Sequence, residues 1–152
     1  METLKMIQAR KAVRSYTGQI SAEQLQTIFD AANAGAVGMG QFENYRVIAI
    51  QKESVLAQLN GIYDAPTVFV VAATADTPME AVSAGIIVHN MALAAEDLSL
   101  GANYNMASLG SIPADVLPAG FKPLIALTVG QTSETFTPRN LPADRIQKST
   151  VK

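Results

Sequence analysis

The sequence predicts a single domain that mixes α-helices with a β-sheet, of the α+β or α/β class. Two kinds of segment lead to this prediction: short apolar runs of strand length and longer stretches with helical spacing. The clearest examples are the strand-like runs 66–72 and 123–130 and the long apolar stretch 79–100. The chain has 152 residues, 49% of them hydrophobic, so it can form one domain with a substantial core.

Helical signals dominate the first third of the chain. Apolar residues near the start predict a short opening helix, which the basic cluster of residues 10–14 closes. Ser21 and Gln24 match a capping box, in which each side chain accepts a hydrogen bond from the other residue's backbone N–H. Apolar residues at helical spacing follow, so we expect a helix from about Ala22 to Asn33. The next loop, 34–40, consists of small residues and contains three glycines.

Strands and one long helix make up the middle of the chain. Residues 45–50 and 66–72 predict strands from their β-branched and apolar content, with a short helix over 52–59 between them. The stretch 79–100 is apolar on nearly every side, which predicts a long helix buried as the spine of the fold. Gly101 is expected to cap that helix. A loop of irregular character then leads to the last strand, 123–130.

The end of the chain differs in composition from the rest. Residues 131–152 are polar and include Pro138 and Pro142, which predicts an arm and not a core element. A helix that is apolar all round is more than one domain of this size can cover, so we expect a homodimer that shares it. The sequence therefore predicts one domain over residues 1–152, with an arm from about 131 packed on the partner subunit.

Composition excludes several classes of function. A net charge of −2, with 16% charged residues, argues against a nucleic-acid binder, which needs a basic face. The chain has no cysteine and one histidine, so it lacks a thiolate nucleophile, a cysteine zinc site and a histidine metal cluster. His89 is expected to be a satisfied core or interface histidine. No signal peptide or convincing membrane span is visible, and we expect a cytoplasmic protein without a metal.

The basic cluster is the most informative local feature. Arg10, Lys11 and Arg14 place three cations within five positions of an acidic chain that is poor in charge. Cations concentrated at one point indicate a local anion site. The alternative is a solvated basic turn at a helix C-terminus, where the helix dipole favours positive charge.

An ordered series of motifs resembles the nitroreductase family, whose members are FMN-dependent flavoprotein dimers. Residues 9–16, Ala-Arg-Lys-Ala-Val-Arg-Ser-Tyr, are similar to the family's opening Arg-Arg-Ser-x-Arg-x-Phe/Tyr. The series continues in the family's order through segments 29–35, 45–47, 64–66, 90–101 and 127–130. The resemblance spans roughly the whole chain.

The resemblance implies a three-layer α+β fold, with a central, mostly antiparallel sheet flanked by helices, in an intertwined homodimer. It assigns Arg10 and Arg14 to the FMN phosphate and ribityl chain, where a guanidinium can form two parallel hydrogen bonds to a phosphate. Arg139 stands near the late basic position of that phosphate site. The cofactor-binding residues implied in this way are Arg10, Lys11, Ala12, Arg14, Val37, Gly38, Gln41, Asn105, Met106 and Arg139.

Two loop segments complete the implied site. Val37, Gly38 and Gln41 belong to a segment that lies against the isoalloxazine ring and that the partner subunit supplies in the family. Asn105 and Met106 belong to the stretch whose backbone N–H groups face flavin N5 and O4. The chain departs from the family at Ala12, where relatives have a serine, and in its glycine-rich loop.

Three functions are compatible with these residues. The resemblance implies an FMN-dependent oxidoreductase that passes hydride from NAD(P)H through flavin N5 to nitroaromatic, quinone or related acceptors, with no catalytic side chain. The second is a non-catalytic FMN-binding dimer or flavin carrier with a degenerate pocket, which Ala12 and the altered loop favour. The third is a small interaction protein without flavin, whose cations only decorate its surface.

Overall fold

Residues 2–152 are described by the computed structural model. Their helices and strands follow the order α1 (Thr3–Ala9), α2 (Ala22–Asn33), β1 (Tyr45–Ile50), α3 (Glu53–Leu56), β2 (Thr67–Ala73), α4 (Pro78–Asp97), β3 (Gly101–Asn105) and β4 (Lys122–Gly130). Short 3₁₀ turns occupy parts of the connections before β1 and between β3 and β4.

The four strands form one antiparallel sheet in the order β1-β2-β4-β3. All seven residues of β2 are buried, because the strand lies in the centre of the sheet and both of its faces are covered. The predicted strands at 45–50, 66–72 and 123–130 are confirmed to within about a residue.

Helices and loops cover the sheet on both faces, which gives three layers. Side chains alternate along β2, so Phe69 and Val71 contribute to the core beneath α2 and α4. Val68 and Val70 point the other way and contribute to a second core, which the segment around α3 covers. The central antiparallel sheet flanked by helices is therefore confirmed.

Helix α2 begins and ends where its sequence signals predict. The Ser21 hydroxyl accepts a hydrogen bond from the Gln24 N–H at 3.1 Å, and the Gln24 side chain accepts one from the Ser21 N–H at 2.8 Å. The helix packs on the sheet through Phe29, whose ring meets Phe69 edge-on at 5.5 Å between centroids.

Helix α4 ends earlier than predicted, and Gly101 is not its cap. The helix closes with a Schellman motif: the Leu100 N–H donates to the Ala95 carbonyl and the Ser99 N–H to the Glu96 carbonyl, each at 2.8 Å. Ser99 takes the left-handed conformation, with φ of 58°. Gly101 instead begins β3.

The glycine at 101 is required by close packing. A Cβ atom there would lie 2.6 Å from Val13 Cγ1 and 3.1 Å from Thr132 Cβ. Only a residue without a side chain allows the N-terminal and C-terminal segments to approach the start of β3 so closely.

Two further predictions are wrong in part. The segment predicted as an irregular loop contains β3, whose sequence Gly-Ala-Asn-Tyr-Asn has no β-branched residue to mark it. Helix α4 is not buried all round within one chain, because Met79, Val82 and Ile86 are 44%, 64% and 40% exposed. No helix within residues 2–152 is long and apolar enough to cross a membrane.

We predict that Gly101→Ala lowers the free energy of unfolding by about 1–3 kcal/mol, because the new methyl group overlaps Val13. Urea unfolding followed by circular dichroism measures this change. Gly110→Ala is the matched control, since a Cβ there meets nothing within 4 Å. Equal stability of the two variants would contradict the packing explanation.

Candidate functional site

The N-terminal segment crosses the free edge of β3. After α1 ends, the Val13 N–H donates to the Ala102 carbonyl at 3.0 Å, and Val13 itself is fully buried. The residues on either side of Val13 therefore reach different layers of the fold. Arg10 lies on the side of α4, and Arg14 lies on the side of α3.

On the α4 side, Arg10 is the first member of a three-residue stack. Its guanidinium carbon lies 5.3 Å from the centre of the Tyr104 ring, a cation–π contact. The Tyr104 hydroxyl in turn forms a 2.5 Å hydrogen bond with His89 Nδ1, and the two rings are stacked. His89 is thus a satisfied histidine, as predicted. Burial, helped by the charge of Arg10, lowers the pKa of His89.

The C-terminal segment brings more charge to the same place. Lys11 forms an ion pair with Glu134 at 3.2 Å, and its ammonium lies 5.6 Å from the Phe136 ring centre. Arg139 donates to the Gln8 carbonyl from both its backbone N–H, at 3.2 Å, and its Nε, at 2.9 Å. Residues from the two ends of the chain thus lie side by side here.

Glu96 is the buried carboxylate of this cluster. The residue is 6% exposed, and neither carboxylate oxygen has a hydrogen-bond partner within residues 2–152. It lines a small cavity together with Arg10, Lys11 and Tyr104. Burial raises the pKa of Glu96, and the charges of Arg10 and Arg139 partly oppose that rise.

Sequence reasoning missed Glu96 because a single carboxylate near the end of an apolar helix forms no motif. A signal was nevertheless present. Glu96 follows Val88 and Ala92 at four-residue intervals, and both of these residues are buried. Helical spacing alone therefore places the carboxylate on the core face.

On the α3 side, Arg14 lies beside a turn with unusual backbone angles. Its guanidinium carbon is 5.9 Å from the centre of the Tyr63 ring. Gly61, Tyr63 and Asp64 have φ values of 66°, 56° and 53°. A left-handed conformation costs roughly 1–2 kcal/mol at a residue with a side chain, so holding Tyr63 in this turn lowers the stability of the fold.

Asn105 supports this turn through its side chain. Its amide nitrogen donates to the Gly61 carbonyl at 2.8 Å, and its amide oxygen accepts from the Ser108 N–H at 3.0 Å. The predicted site residue therefore has a structural function in fixing the end of β3. Met106 follows directly and is 62% exposed.

The glycine-rich loop lies at the opposite end of α4. The Gly38 N–H donates to the Ser83 hydroxyl at 3.0 Å, and a Cβ at Gly38 would lie 2.4 Å from Met79 Cγ. This loop carries Val37 and Gln41 as well. Ser83 and Glu96 are thirteen residues apart on α4, which corresponds to about 20 Å along its axis.

The structure therefore divides the predicted site residues into separate groups. Arg10, Lys11 and Arg139 come together near the end of α4, with the half-buried Ala12 beside them. Arg14, Asn105 and Met106 lie towards the other face of the sheet. The loop residues Val37, Gly38 and Gln41 are remote from the cations within one chain. No group of acidic residues or histidine within residues 2–152 could hold a metal ion.

Comparison with protein families gives a match over more than half of the chain. Residues 43–130 match the Nitroreductase family. No curated protein matches the chain at a significant level.

Solved structures match the fold over nearly the whole chain. A nitroreductase with bound FMN from Desulfitobacterium hafniense DCB-2 is 23% identical, with a TM-score of 0.82 and coverage of 99% of each chain. A nitroreductase with bound FMN from Bacteroides fragilis NCTC 9343 is 20% identical, with a TM-score of 0.78 over 99% of this chain and 100% of that chain. A nitroreductase family protein from Clostridium difficile 630 is 21% identical, with a TM-score of 0.75 over 99% and 100% of the two chains.

We predict that Tyr104→Phe lowers the free energy of unfolding by about 1 kcal/mol, because it removes the hydrogen bond to His89 and leaves the ring beneath Arg10. Chemical unfolding of the purified variant measures the loss. Tyr63→Phe, at a residue that is 46% exposed, is the control and should be neutral. A loss of the same size in both variants would show that the bond to His89 contributes nothing.

Proposed function

The chain belongs to the nitroreductase family, and from this premise we propose that it is an FMN-dependent oxidoreductase. It would take hydride from NAD(P)H and pass electrons to a nitroaromatic, quinone or related acceptor. The supporting observation is that Arg10, Lys11 and Arg139 lie together in a chain whose net charge is −2. The FMN bound to the similar nitroreductases from D. hafniense and B. fragilis supports the choice of cofactor.

The cationic cluster fits the phosphate of FMN. A phosphate needs charged donors at one point, and Arg10 and Arg139 both act on the carboxylate of Glu96 from nearby positions. Stacking on Tyr104 orients the guanidinium of Arg10. Lys11 is already paired with Glu134, so it would contribute less directly.

The remote loop would serve the FMN site of a second copy of the chain. The exposed apolar residues Met79, Val82 and Ile86 recur on one face of α4, which is typical of a surface that another subunit covers. A two-fold axis across this face would place the first turns of α4 beside the last turns of its copy. One chain's loop would then reach its partner's cations, in a homodimer with a shared site. Residues 131–139 of the arm pair with the N-terminal segment of their own chain, so the part of the arm after Arg139 would extend this contact.

When bound, FMN supplies the hydride and electron chemistry of the reaction. The chain's own residues would bind and orient it. Arg10 and Arg139 would hold the phosphate, and Arg14, across the edge of β3 from them, would contact the ribityl chain. Gly38 would allow the loop backbone to approach the flat ring, and Met106 would present its backbone N–H beside it. His89 is hydrogen-bonded to Tyr104, so we assign no side chain as an acid or a base.

A non-catalytic FMN-binding dimer is the second candidate function. Ala12 favours it, because a methyl group stands in the cationic segment where relatives have a hydroxyl donor. Reduction of the bound flavin by NAD(P)H distinguishes the two candidate functions. NAD(P)H should bleach the bound flavin of an oxidoreductase, and a nitroaromatic or a quinone should restore the colour, whereas a flavin carrier would stay oxidised.

We predict that the purified protein shows flavin absorption and that Arg10→Ala and Arg139→Ala each weaken FMN binding by about tenfold or more. Each change removes a charge-assisted hydrogen bond to the phosphate. Quenching of FMN fluorescence measures the dissociation constant. Arg145→Ala, at an exposed arginine of the C-terminal segment, should leave it unchanged. Unaltered FMN binding by the double variant Arg10→Ala, Arg139→Ala would refute the phosphate assignment.

We also predict that Val82→Glu converts the dimer into a monomer and lowers its FMN content, because a charge would be buried in the apolar interface. Light scattering after size-exclusion chromatography gives the mass, and absorption gives the flavin content. Gln58→Glu adds the same charge at an exposed position after α3 and should leave both unchanged. A Val82→Glu dimer that retains its flavin would rule out this face as the interface.

A further inference from the structure

Glu96 has an environment that the proposed function does not explain. Its carboxylate is buried beside cations, yet both oxygens lack a hydrogen-bond partner within residues 2–152. A buried charge without hydrogen bonds is unfavourable, so such a residue is retained only where its surroundings compensate for it. Glu96 forms no ion pair within residues 2–152, so the compensation available here is the longer-range attraction of the Arg10 and Arg139 guanidinium groups.

We propose that Glu96 is a specificity-determining residue of the anion site, as the internal counter-ion of Arg10 and Arg139 that takes up a proton when a phosphate monoester binds these arginines. Because this role rests on the proposed FMN function, the ligand considered is the FMN phosphate. The proton comes from solvent and forms an O–H bond on the Glu96 carboxylate, and no other bond is made or broken.

The charged and titratable groups around Glu96 come from each element that packs against it. Arg10 and Lys11 follow α1, Tyr104 belongs to β3, Glu134 and Arg139 belong to the C-terminal segment, and Asp97 is its neighbour on α4. Lys11 and Glu134 form an ion pair at 3.2 Å, so their charges cancel each other. Asp97 is exposed and acts through solvent. Arg10 and Arg139 therefore remain as the cations that offset the charge of Glu96.

A phosphate dianion would compete with Glu96 for these two cations. With Glu96 ionised, the two arginines and the carboxylate leave one positive charge, which cannot neutralise a dianion. With Glu96 protonated, the two arginines balance the phosphate completely. Burial already raises the pKa of Glu96, and a bound dianion would raise it further by repulsion.

This balance of charges determines the direction in which FMN affinity changes with pH. Binding takes up a proton, so FMN affinity falls as the pH rises past the pKa of Glu96 in the free protein. Ligands without the phosphate would not show this effect. Glu96 thereby ties recognition of the phosphate group to the protonation of the site.

The test compares FMN affinity of the wild-type protein, freed of flavin, with that of Glu96→Gln across the pH range in which both proteins remain folded. Gln has the shape of a protonated Glu, so the two dissociation constants should converge as the pH falls. At the alkaline end, the variant should bind about tenfold tighter. The FMN phosphate titrates in the same way in both measurements, so its effect cancels in the ratio of the two dissociation constants.

Two controls restrict the interpretation. Asp97→Asn removes the neighbouring carboxylate of the same helix and should give a ratio that does not change with pH. Riboflavin, which lacks the phosphate, should give a flat ratio with Glu96→Gln. Calorimetry in buffers of different ionisation enthalpy should also show that the wild-type protein takes up more protons on binding FMN than Glu96→Gln does.

Each outcome decides between the explanations. A ratio that is flat for FMN, an equal pH dependence with riboflavin, or equal proton uptake by both proteins would overturn the role of Glu96 while leaving the FMN function intact. Weaker binding by a folded Glu96→Gln variant at every pH would also overturn it, because the carboxylate would then be needed to position Arg10. Failure of the wild-type protein to bind FMN at all would instead refute the proposed function.

Discussion

The distance between the glycine-rich loop and the cluster of Arg10, Lys11 and Arg139 depends on the length of α4. The helix has twenty residues, so its two ends are roughly 30 Å apart. One face packs into the core beneath the sheet, and the first half of the opposite face, with Met79, Val82 and Ile86, is apolar and exposed. The glycine-rich loop is hydrogen-bonded to Ser83 near the start of α4, and Glu96 lies near the end of that helix. In the proposed homodimer, a second chain running in the opposite direction would bring the glycine-rich loop of one chain to the cationic end of the other.

The clustering of Arg10, Lys11 and Arg139 depends equally on contacts between the N-terminal and C-terminal segments. Gly18 and Gln131 form a two-stranded bridge, with the Gln131 N–H donating to the Gly18 carbonyl at 2.8 Å. Arg139 continues this association by bonding to Gln8. These contacts hold the N-terminal segment against β3, where Gly101 leaves room for it. The positive charges of Arg10, Lys11 and Arg139 are thus brought together by backbone pairing at the sheet edge as well as by their positions in the sequence.

The sequence predicted those features that depend on local chemistry. The capping box at Ser21, the strand around Phe69 and the basic cluster at Arg10 are each encoded by neighbouring residues. Features that arise from tertiary contacts were missed. β3 forms because β4 offers a free edge, and its asparagines and glycine give no sign of this. The stack of Arg10 on Tyr104 joins residues that are remote in sequence, which no periodicity reveals.

The bridge between the two ends of the chain also determines when the site can form. Gln8 and Arg139 are 131 residues apart, and contacts of such long range slow folding because a large loop must close first. During synthesis, the arginines of the N-terminal segment must wait roughly ten seconds for the residues that hold them. The antiparallel pair of β1 and β2, which α3 connects, can form earlier because its residues are closer in the chain. Completion of the cationic site is thus a late step in the life of each newly made molecule, and a truncated chain would contain the arginines without the means to hold them.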